Sequence, residues 1–320
     1  SDVYKRQHLF EDVDFPEPET LFDDYATRGP QMKTQELTID RHMGYAFDFK
    51  VRELKNEPTL QYIRDSWLMA MAEMDSEQRA TWEAIYDKKN EEFLKNPPVG
   101  KDLLRWKYQR YVKEYCRTIR SVDEQVGRLL DYLEEKGVLD NTVIVYTSDQ
   151  GFLLGEHGLY DKRFMYEESF RTPLIISCPS LVKKHSVCKE LVQNIDLAPT
   201  FLSLAGVEVP KEMSGRSLLP LFKNGKAENW RNELYYHFYD YPAVGSVRKH
   251  DGIRTKRYKL IHWYGEGSGN DEAIDFWELY DLKKDVMEVN NVYDNPKYVK
   301  VREALTVQLE KLRKDVGVTE

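Results

Sequence analysis

Cysteine is scarce in this chain, and so are long apolar runs. The three cysteines among 320 residues, Cys116, Cys178 and Cys188, form no metal-binding pair and give no indication of the cellular compartment. No uninterrupted apolar run approaches the ~18 residues that a membrane-spanning helix requires. The sequence therefore predicts neither a cysteine metal site nor a membrane span.

An excess of basic charge is also lacking. The net charge is −8 and the isoelectric point is near 5.6, which argues against nucleic acid or an anionic membrane as a partner. Hydrophobic residues make up 41% of the chain and charged residues 32%, as in an ordinary globular protein. The length allows one large domain or two smaller ones.

The stretch 141–171 carries the clearest chemical pattern. A β-branched apolar run at 142–146 predicts a buried strand, and the polar cluster 147–151 predicts a loop at its carboxyl end, where ligands bind in α/β sheets. Asp149 and Gln150 offer the hard oxygen atoms that Ca²⁺ or Mg²⁺ prefers, and Lys162 offers a compact cation. Together they predict a site that binds an anion.

The same residues resemble a known family. The run TSDQGFxxGEHGxxxKRxxYEESxRxPL is similar to the second half of the active site of type I sulfatases, in the alkaline phosphatase superfamily. The resemblance implies that Asp149 and Gln150 are ligands of Ca²⁺, with Mg²⁺ as the alternative ion, and that Lys162 binds the sulfate. Lys162 lies thirteen positions after Asp149, which is the interval of the family motif.

The resemblance also implies a fold and a domain plan. We expect an α/β chain that forms the C-terminal part of an alkaline-phosphatase-like sandwich, a mixed and mainly parallel sheet flanked by helices. A small antiparallel four-stranded subdomain with a terminal helix follows. We expect 1–7 to be a non-native lead, 8–225 a catalytic domain without its N-terminal half, and 226–320 the C-terminal subdomain.

Apolar periodicity and turn residues predict the individual elements. Helices are predicted at 34–54, 76–96, 101–136, 196–205 and 296–314, and strands at 142–146, 173–178 and 189–193. Short runs after Trp230 (LYYHF, GIRT, YKLIHWY and WELYDL) predict the small antiparallel sheet.

Two histidines are further candidates. His157 either contacts the substrate or its leaving group, or orders its loop through a hydrogen-bonded ring. His250 matches the place where sugar-acting sulfatases bring a C-terminal loop towards the pocket, so the resemblance implies a substrate contact; a histidine in a surface turn is the alternative.

Acidic residues near these candidates are given structural roles. We expect Glu167 and Glu168 to be structural and to pair with Arg163 or Arg171. The adjacent carboxylates Asp23 and Asp24 follow the part of the fold that would hold the family's acidic ligand pair, and we do not expect them to bind metal.

The resemblance implies a calcium-dependent sulfatase acting on a sulfated sugar or glycosaminoglycan-type glycan, most like bacterial sulfatases similar to N-acetylglucosamine-6-sulfatase. The family's nucleophile is a formylglycine made from Cys or Ser in the sequence C/S-x-P/A-x-R. None of the three cysteines lies in such a sequence, so we expect this chain alone to be inactive.

Two alternatives remain open. One is a phosphonate monoester or phosphodiester hydrolase, which shares the fold and much of the motif. The other is a non-catalytic relative that binds anionic glycans. The resemblance implies a periplasmic or extracellular location, while the exact sugar and the oligomeric state are not predicted.

Overall fold

The computed structural model of the chain describes residues 6–51, 61–242, 244–269 and 271–318. Most of the expected lead at 1–7 lies outside these ranges. The helices are α1 Gln31–Thr34, α2 Gln61–Ala72, α3 Ser76–Lys95, α4 Gly100–Glu135, α5 Glu167–Phe170, α6 Leu197–Leu204, α7 Leu219–Phe222 and α8 Val299–Asp315. The strands are β1 Ile144–Thr147, β2 Leu153–Leu154, β3 Tyr160–Asp161, β4 Leu174–Ser177, β5 Glu233–Phe238, β6 His250–Thr255, β7 Tyr258–Gly265 and β8 Ile274–Asp281. None of the helices in these ranges is long and apolar enough to cross a membrane.

The chain separates into two compact units. The described residues of the first are 6–24, 35–51, 61–132 and 152–161, and those of the second are 25–34, 133–151 and 162–318 without 243 and 270. The predicted domain boundary near residue 225 stays a prediction.

Helices α3 and α4 provide most of the first unit. Helix α3 begins with a capping box, in which the Asp75 side chain accepts a hydrogen bond from the backbone of Gln78 while the Gln78 side chain accepts one from Asp75. The N-cap is therefore Asp75, one residue before the helix start predicted at Ser76. Phe93 of α3 stacks on Trp106 of α4, with ring centroids 4.1 Å apart, and this pair joins the two helices.

The helix predicted at 34–54 is wrong. Residues 35–51 form turns, and 52–54 lie outside the described residues. The Leu37 carbonyl accepts a hydrogen bond from the Tyr160 amide at 2.9 Å, and the Ile39 amide donates to the Gly158 carbonyl at 3.0 Å. The apolar side chains of this stretch are buried against Phe93 of α3, residues of α4 and Tyr160. These contacts with distant segments are ones that a local periodicity cannot indicate.

Strands β1 and β4 confirm two predicted strands to within two residues at each end. They pair antiparallel, with Val145 opposite Ile176. The described residues contain no parallel pair, in contrast to the expected mainly parallel sheet. Parallel neighbours need a crossover connection, usually through a helix, and the helix between β1 and β4, α5, is only four residues long. The strand predicted at 189–193 is also wrong, since this segment has irregular backbone.

The C-terminal region confirms the predicted small sheet. Strands β5, β6, β7 and β8 form a four-stranded antiparallel sheet in that order. Ile253, Leu260 and Leu279 of this sheet pack against Leu305 and Leu309 of α8, and all five side chains are buried. The terminal helix therefore provides the apolar cover that one face of the sheet needs.

Candidate active site

The loop after β1 is anchored at both ends by hydrogen bonds to residues 169 and 173. Thr147 donates a side-chain hydrogen bond to the Pro173 carbonyl at 2.8 Å, and the Gly151 amide donates to the Ser169 carbonyl at 2.8 Å. A Cβ atom at position 151 would lie 2.1 Å from the Glu168 carbonyl oxygen, so only glycine fits there. The intervening residues 148–150 are thereby presented at the end of the strand.

Asp149 and Gln150 lie in this loop, as the sequence predicts. Asp149 is exposed, and its Oδ1 accepts hydrogen bonds from the Ser148 hydroxyl at 3.2 Å and the Gln150 amide at 3.1 Å. These contacts are local and leave the second carboxylate oxygen of Asp149 available. The loop therefore offers one carboxylate and one side-chain amide oxygen to a ligand.

Lys162 is half-buried and has no ion pair or side-chain hydrogen bond with any described residue. The next residue, Arg163, has a φ of 90°, a backbone conformation that costs energy for any residue other than glycine. Tyr236 donates a hydrogen bond to the Arg163 carbonyl at 3.1 Å, and the following side chains 164–166 are almost completely buried. The surrounding structure thus fixes the backbone beside a lysine that it leaves unpaired.

A cleft of about 1330 Å³ in the second unit brings Asp149, Gln150 and Lys162 together. Six basic and three acidic side chains line it. The basic ones are Lys162, Arg163, Arg171, Lys189, Arg254 and Lys256, and the acidic ones are Asp149, Glu167 and Glu190. In a chain of net charge −8, this local excess of positive charge favours an anionic ligand.

The pairing of these charges differs across the cleft. Arg254 binds Glu167 through two nitrogens, at 3.3 and 3.1 Å, and Lys256 binds Glu190 at 2.6 Å. Within the described ranges Arg171 and Lys189, like Lys162, have no such partner. The cleft wall also includes Cys188, an exposed free thiol.

Glu167 belongs to a buried ion network that the sequence did not reveal. Lys259 is completely buried, and its ammonium lies 2.9 Å from Glu167 and 2.8 Å from Glu288. Burial acts to raise the pKa of Glu167, but Lys259 and Arg254 together lower it to about 2. For Glu167 the predicted partners Arg163 and Arg171 are wrong, because the partners that bind it lie about 90 residues further along the chain. The pairing of Glu168 stays a prediction.

His157 lies in the first unit, in a short turn at Glu156–Gly158. Its ring is buried, and its Nδ1 lies 2.8 Å from Asp23 Oδ2, while its amide donates to the Thr20 hydroxyl at 2.9 Å. A carboxylate at Nδ1 fixes the ring orientation and favours the tautomer with a proton on that nitrogen. Asp23 is thus the orienting partner of His157, a role that its position in an acidic sequence did not indicate. Contact of His157 with a substrate stays a prediction.

His250 lies in β6 and is completely buried, so it is not a histidine in a surface turn. Its ring packs against Trp263, with centroids 4.1 Å apart, and against Tyr236. Burial lowers the pKa of His250 to about 4, although a hydrogen bond to the Arg248 carbonyl partly offsets this. His250 therefore supports Tyr236, which lines the cleft, and its own contact with a substrate stays a prediction.

The described residues contain no group of three or more His, Cys, Asp or Glu side chains that could hold a metal ion. The donors of Asp149 and Gln150 are nevertheless hard oxygens, which suit Ca²⁺. Because Ca²⁺ takes six to eight oxygen ligands, these two residues fit as part of a ligand set.

Comparison with known proteins identifies the family. The profile of the family described as Sulfatase matches residues 15–207, and that described as N-sulphoglucosamine sulphohydrolase, C-terminal, matches residues 155–315. The chain belongs to the sulfatase family. The resemblance seen in the motif around Asp149 and Lys162 is thereby confirmed.

Individual relatives of this sulfatase chain extend the comparison. An N-acetylglucosamine-6-O-sulfatase of Bacteroides thetaiotaomicron is 45% identical over 308 residues, which are 96% of this chain and 54% of that protein. A solved structure in complex with its substrate, D-glucosamine-2-N,6-O-disulfate, superposes with a TM-score of 0.87 at 43% identity, over 97% of this chain and 62% of that one. The phosphonate monoester hydrolase of Agrobacterium radiobacter superposes with a TM-score of 0.57 at 26% identity, over 66% and 42%. The chain thus has the mixed α/β sulfatase fold and spans about half the length of its curated relative.

Proposed function

We propose that this chain is part of a calcium-dependent sulfatase that hydrolyses sulfate esters on sulfated glucosamine or related glycosaminoglycan sugars. The observation that carries the proposal is that Asp149, Gln150 and Lys162 line one cleft, while Lys162 has no ionic partner among the described residues. The relative named N-acetylglucosamine-6-O-sulfatase and the substrate complex with D-glucosamine-2-N,6-O-disulfate support this choice of sugar. The family resemblance supports a periplasmic or extracellular location.

The roles follow from the charges. Lys162 binds a sulfate oxygen, because an ammonium ion without a carboxylate partner keeps its full attraction for an anion. Asp149 and Gln150 would hold the Ca²⁺, which supplies positive charge beside the sulfate as negative charge develops on it. The family's formylglycine would supply the nucleophile, and none of the three cysteines in this chain lies in the sequence from which it is made.

Binding measurements test the proposal. Titration calorimetry should show that the chain in Ca²⁺ binds N-acetylglucosamine-6-sulfate and does not bind N-acetylglucosamine. Lys162→Met should weaken this binding by about 10- to 100-fold, the value of a charge-assisted hydrogen bond. Lys284→Met, which removes an exposed lysine outside the cleft, should leave it unchanged. Equal affinity for the two sugars would contradict the proposal.

Calcium dependence has its own test. Ca²⁺ should raise the Tm of the wild-type chain, since a ligand that binds only the folded state stabilises it. Chelation should reverse the shift, and Asp149→Ala should abolish it. A shift of the same size in Asp149→Ala would place the ion elsewhere.

A phosphonate monoester hydrolase is the second candidate, supported by the superposition with the enzyme of Agrobacterium radiobacter. The same titration with phenylphosphonate separates the two. Binding of the phosphonate at least as tight as that of the sulfated sugar would favour this candidate. A non-catalytic glycan-binding role would instead be favoured if the protein expressed from its whole coding sequence binds the sulfated sugar and releases no sulfate from it.

A further inference from the structure

Asn194 connects the wall of the cleft to the loop that carries Asp149. Its side-chain nitrogen donates two hydrogen bonds, to the Ser148 carbonyl at 3.1 Å and to the Asp149 carbonyl at 2.7 Å. An amide nitrogen has two protons, and both are used here. These contacts fix which end of the Asn194 amide faces the loop. If the amide were flipped, its oxygen would face the two carbonyl oxygens, and an oxygen without a proton cannot donate to them.

The backbone that carries Asn194 is itself fixed. Asp196, two residues further on, is completely buried and binds the Arg231 guanidinium through both of its carboxylate oxygens. It also accepts backbone hydrogen bonds from Gln193 and Arg216, each at 2.8 Å. Asn194 thus extends from a rigid support, whereas its own side chain is exposed.

The loop depends on this contact. The Asp149 carbonyl receives its hydrogen bond from a residue 45 positions away, and no β pairing extends beyond Thr147. On the far side of the loop, Gly151 is held by Ser169. Asn194 is therefore the contact that fixes the backbone of Asp149 itself.

We propose that Asn194 is a positioning residue, which holds the backbone of Ser148 and Asp149 so that the Asp149 and Gln150 side chains face their ligand together. The inference rests on the proposed function, because it assigns Asn194 to the same site. According to this inference, the loop backbone is held by the two hydrogen bonds that the Asn194 amide donates, and the volume of the side chain is not sufficient.

Two substitutions distinguish the hydrogen bonds that Asn194 donates from the volume that its side chain fills. Asn194→Ala removes the side chain, and Asn194→Asp keeps its shape but places an oxygen against the two carbonyls. Both substitutions are made at one exposed position, so each variant should fold normally. Asn224→Asp is the matched control, since Asn224 is exposed in the same unit and makes no side-chain hydrogen bond with the described residues.

Hydrogen exchange gives the first measurement and needs no ligand. We expect the amides of Gln150 and Gly151 to exchange about 10-fold faster in both Asn194 variants, as the loss of two neutral hydrogen bonds implies. Exchange in β7 and β8 should stay unchanged. Normal protection in Asn194→Asp would show that shape alone is sufficient and would overturn the inference, as would faster exchange throughout the unit.

Calorimetry with Ca²⁺ and N-acetylglucosamine-6-sulfate gives the second measurement. Both Asn194 variants should bind about 10-fold more weakly than the wild type, the usual size of an effect on residues that orient a ligand. Unchanged affinity in both variants would overturn the positioning role. If the wild type binds neither probe, the proposed function fails, and the exchange result still decides whether Asn194 orders the loop.

Discussion

Two lysines of the second unit show how differently one side chain can be used. Lys259 is completely buried and lies within 3 Å of two carboxylates, those of Glu167 and Glu288. Lys162 is half-buried at the wall of the cleft and has no carboxylate partner in the described ranges. A buried ammonium must be paired because desolvation is costly. A partly hydrated one can stay unpaired, and it is then available to an anion from solution.

Lys259→Met should have the largest effect on stability. The substitution leaves Glu288 buried without a cation, and breaking a buried pair in this way costs about 3 kcal/mol or more. Urea unfolding at pH 8, above the pKa of about 7 that Glu288 has beside Lys259, measures the loss of unfolding free energy. Lys284→Met, at an exposed lysine, should change it by no more than about 0.5 kcal/mol. A similarly small change in Lys259→Met would contradict the comparison, because it would show that the ion pairs of Lys259 contribute no more to stability than an exposed lysine does.

The pH dependence of stability should reveal the same buried network. Burial raises the pKa of Glu288 from 4.5 to about 7, although Lys259 acts to lower it. The folded chain therefore holds this proton more tightly than the unfolded chain, and the Glu288 contribution to unfolding free energy falls as the pH rises from about 4.5 to about 7. Among the residues that the structure describes, Lys259, Glu167 and Tyr280 are the charged or titratable groups that interact with Glu288.

Glu288→Gln isolates this contribution. The difference in unfolding free energy between wild type and Glu288→Gln should fall from pH 5 to pH 8, by an amount on the order of 1 to 3 kcal/mol. Urea unfolding at four pH values across this interval measures it. A difference that is constant or rises with pH would mean that Glu288 stays ionised throughout, held by Lys259.

Lys162→Met should have the smallest effect on stability. No ion pair is lost, so the unfolding free energy should stay within about 0.5 kcal/mol of the wild type or increase slightly. The affinity for a sulfated sugar should nevertheless fall. Parallel unfolding and calorimetry on the same preparation measure both. A loss of stability as large as that of Lys259→Met would show that Lys162 is a structural residue.

The candidate site could be predicted from the sequence where its residues are close along the chain. Asp149, Gln150 and Lys162 fall within fourteen consecutive residues, and the structure places them at one cleft. Asn194 and the partners of Glu167 could not be found in this way, because they reach the site through tertiary packing. Polar residues that act through long-range hydrogen bonds leave no periodic pattern.

The fold shows the same limit. The sequence predicts α3, α4 and the four-stranded sheet because their patterns are local, a helical stripe of apolar residues or short runs between turns. Residues 35–51 contain apolar side chains at irregular steps, and these are buried mainly against α3 and α4, while the backbone pairs with residues 158–160. His250 likewise lies inside the sheet although turn-like residues surround it.

The thiol of Cys188 allows the cleft to be labelled covalently with a fluorescent probe. It is exposed at the cleft wall, whereas Cys178 is buried and Cys116 is partly covered. A maleimide fluorophore would therefore attach first at position 188, without any engineered residue. Its emission would report the arrival of a sugar in the cleft in real time, and would follow dissociation as well as binding.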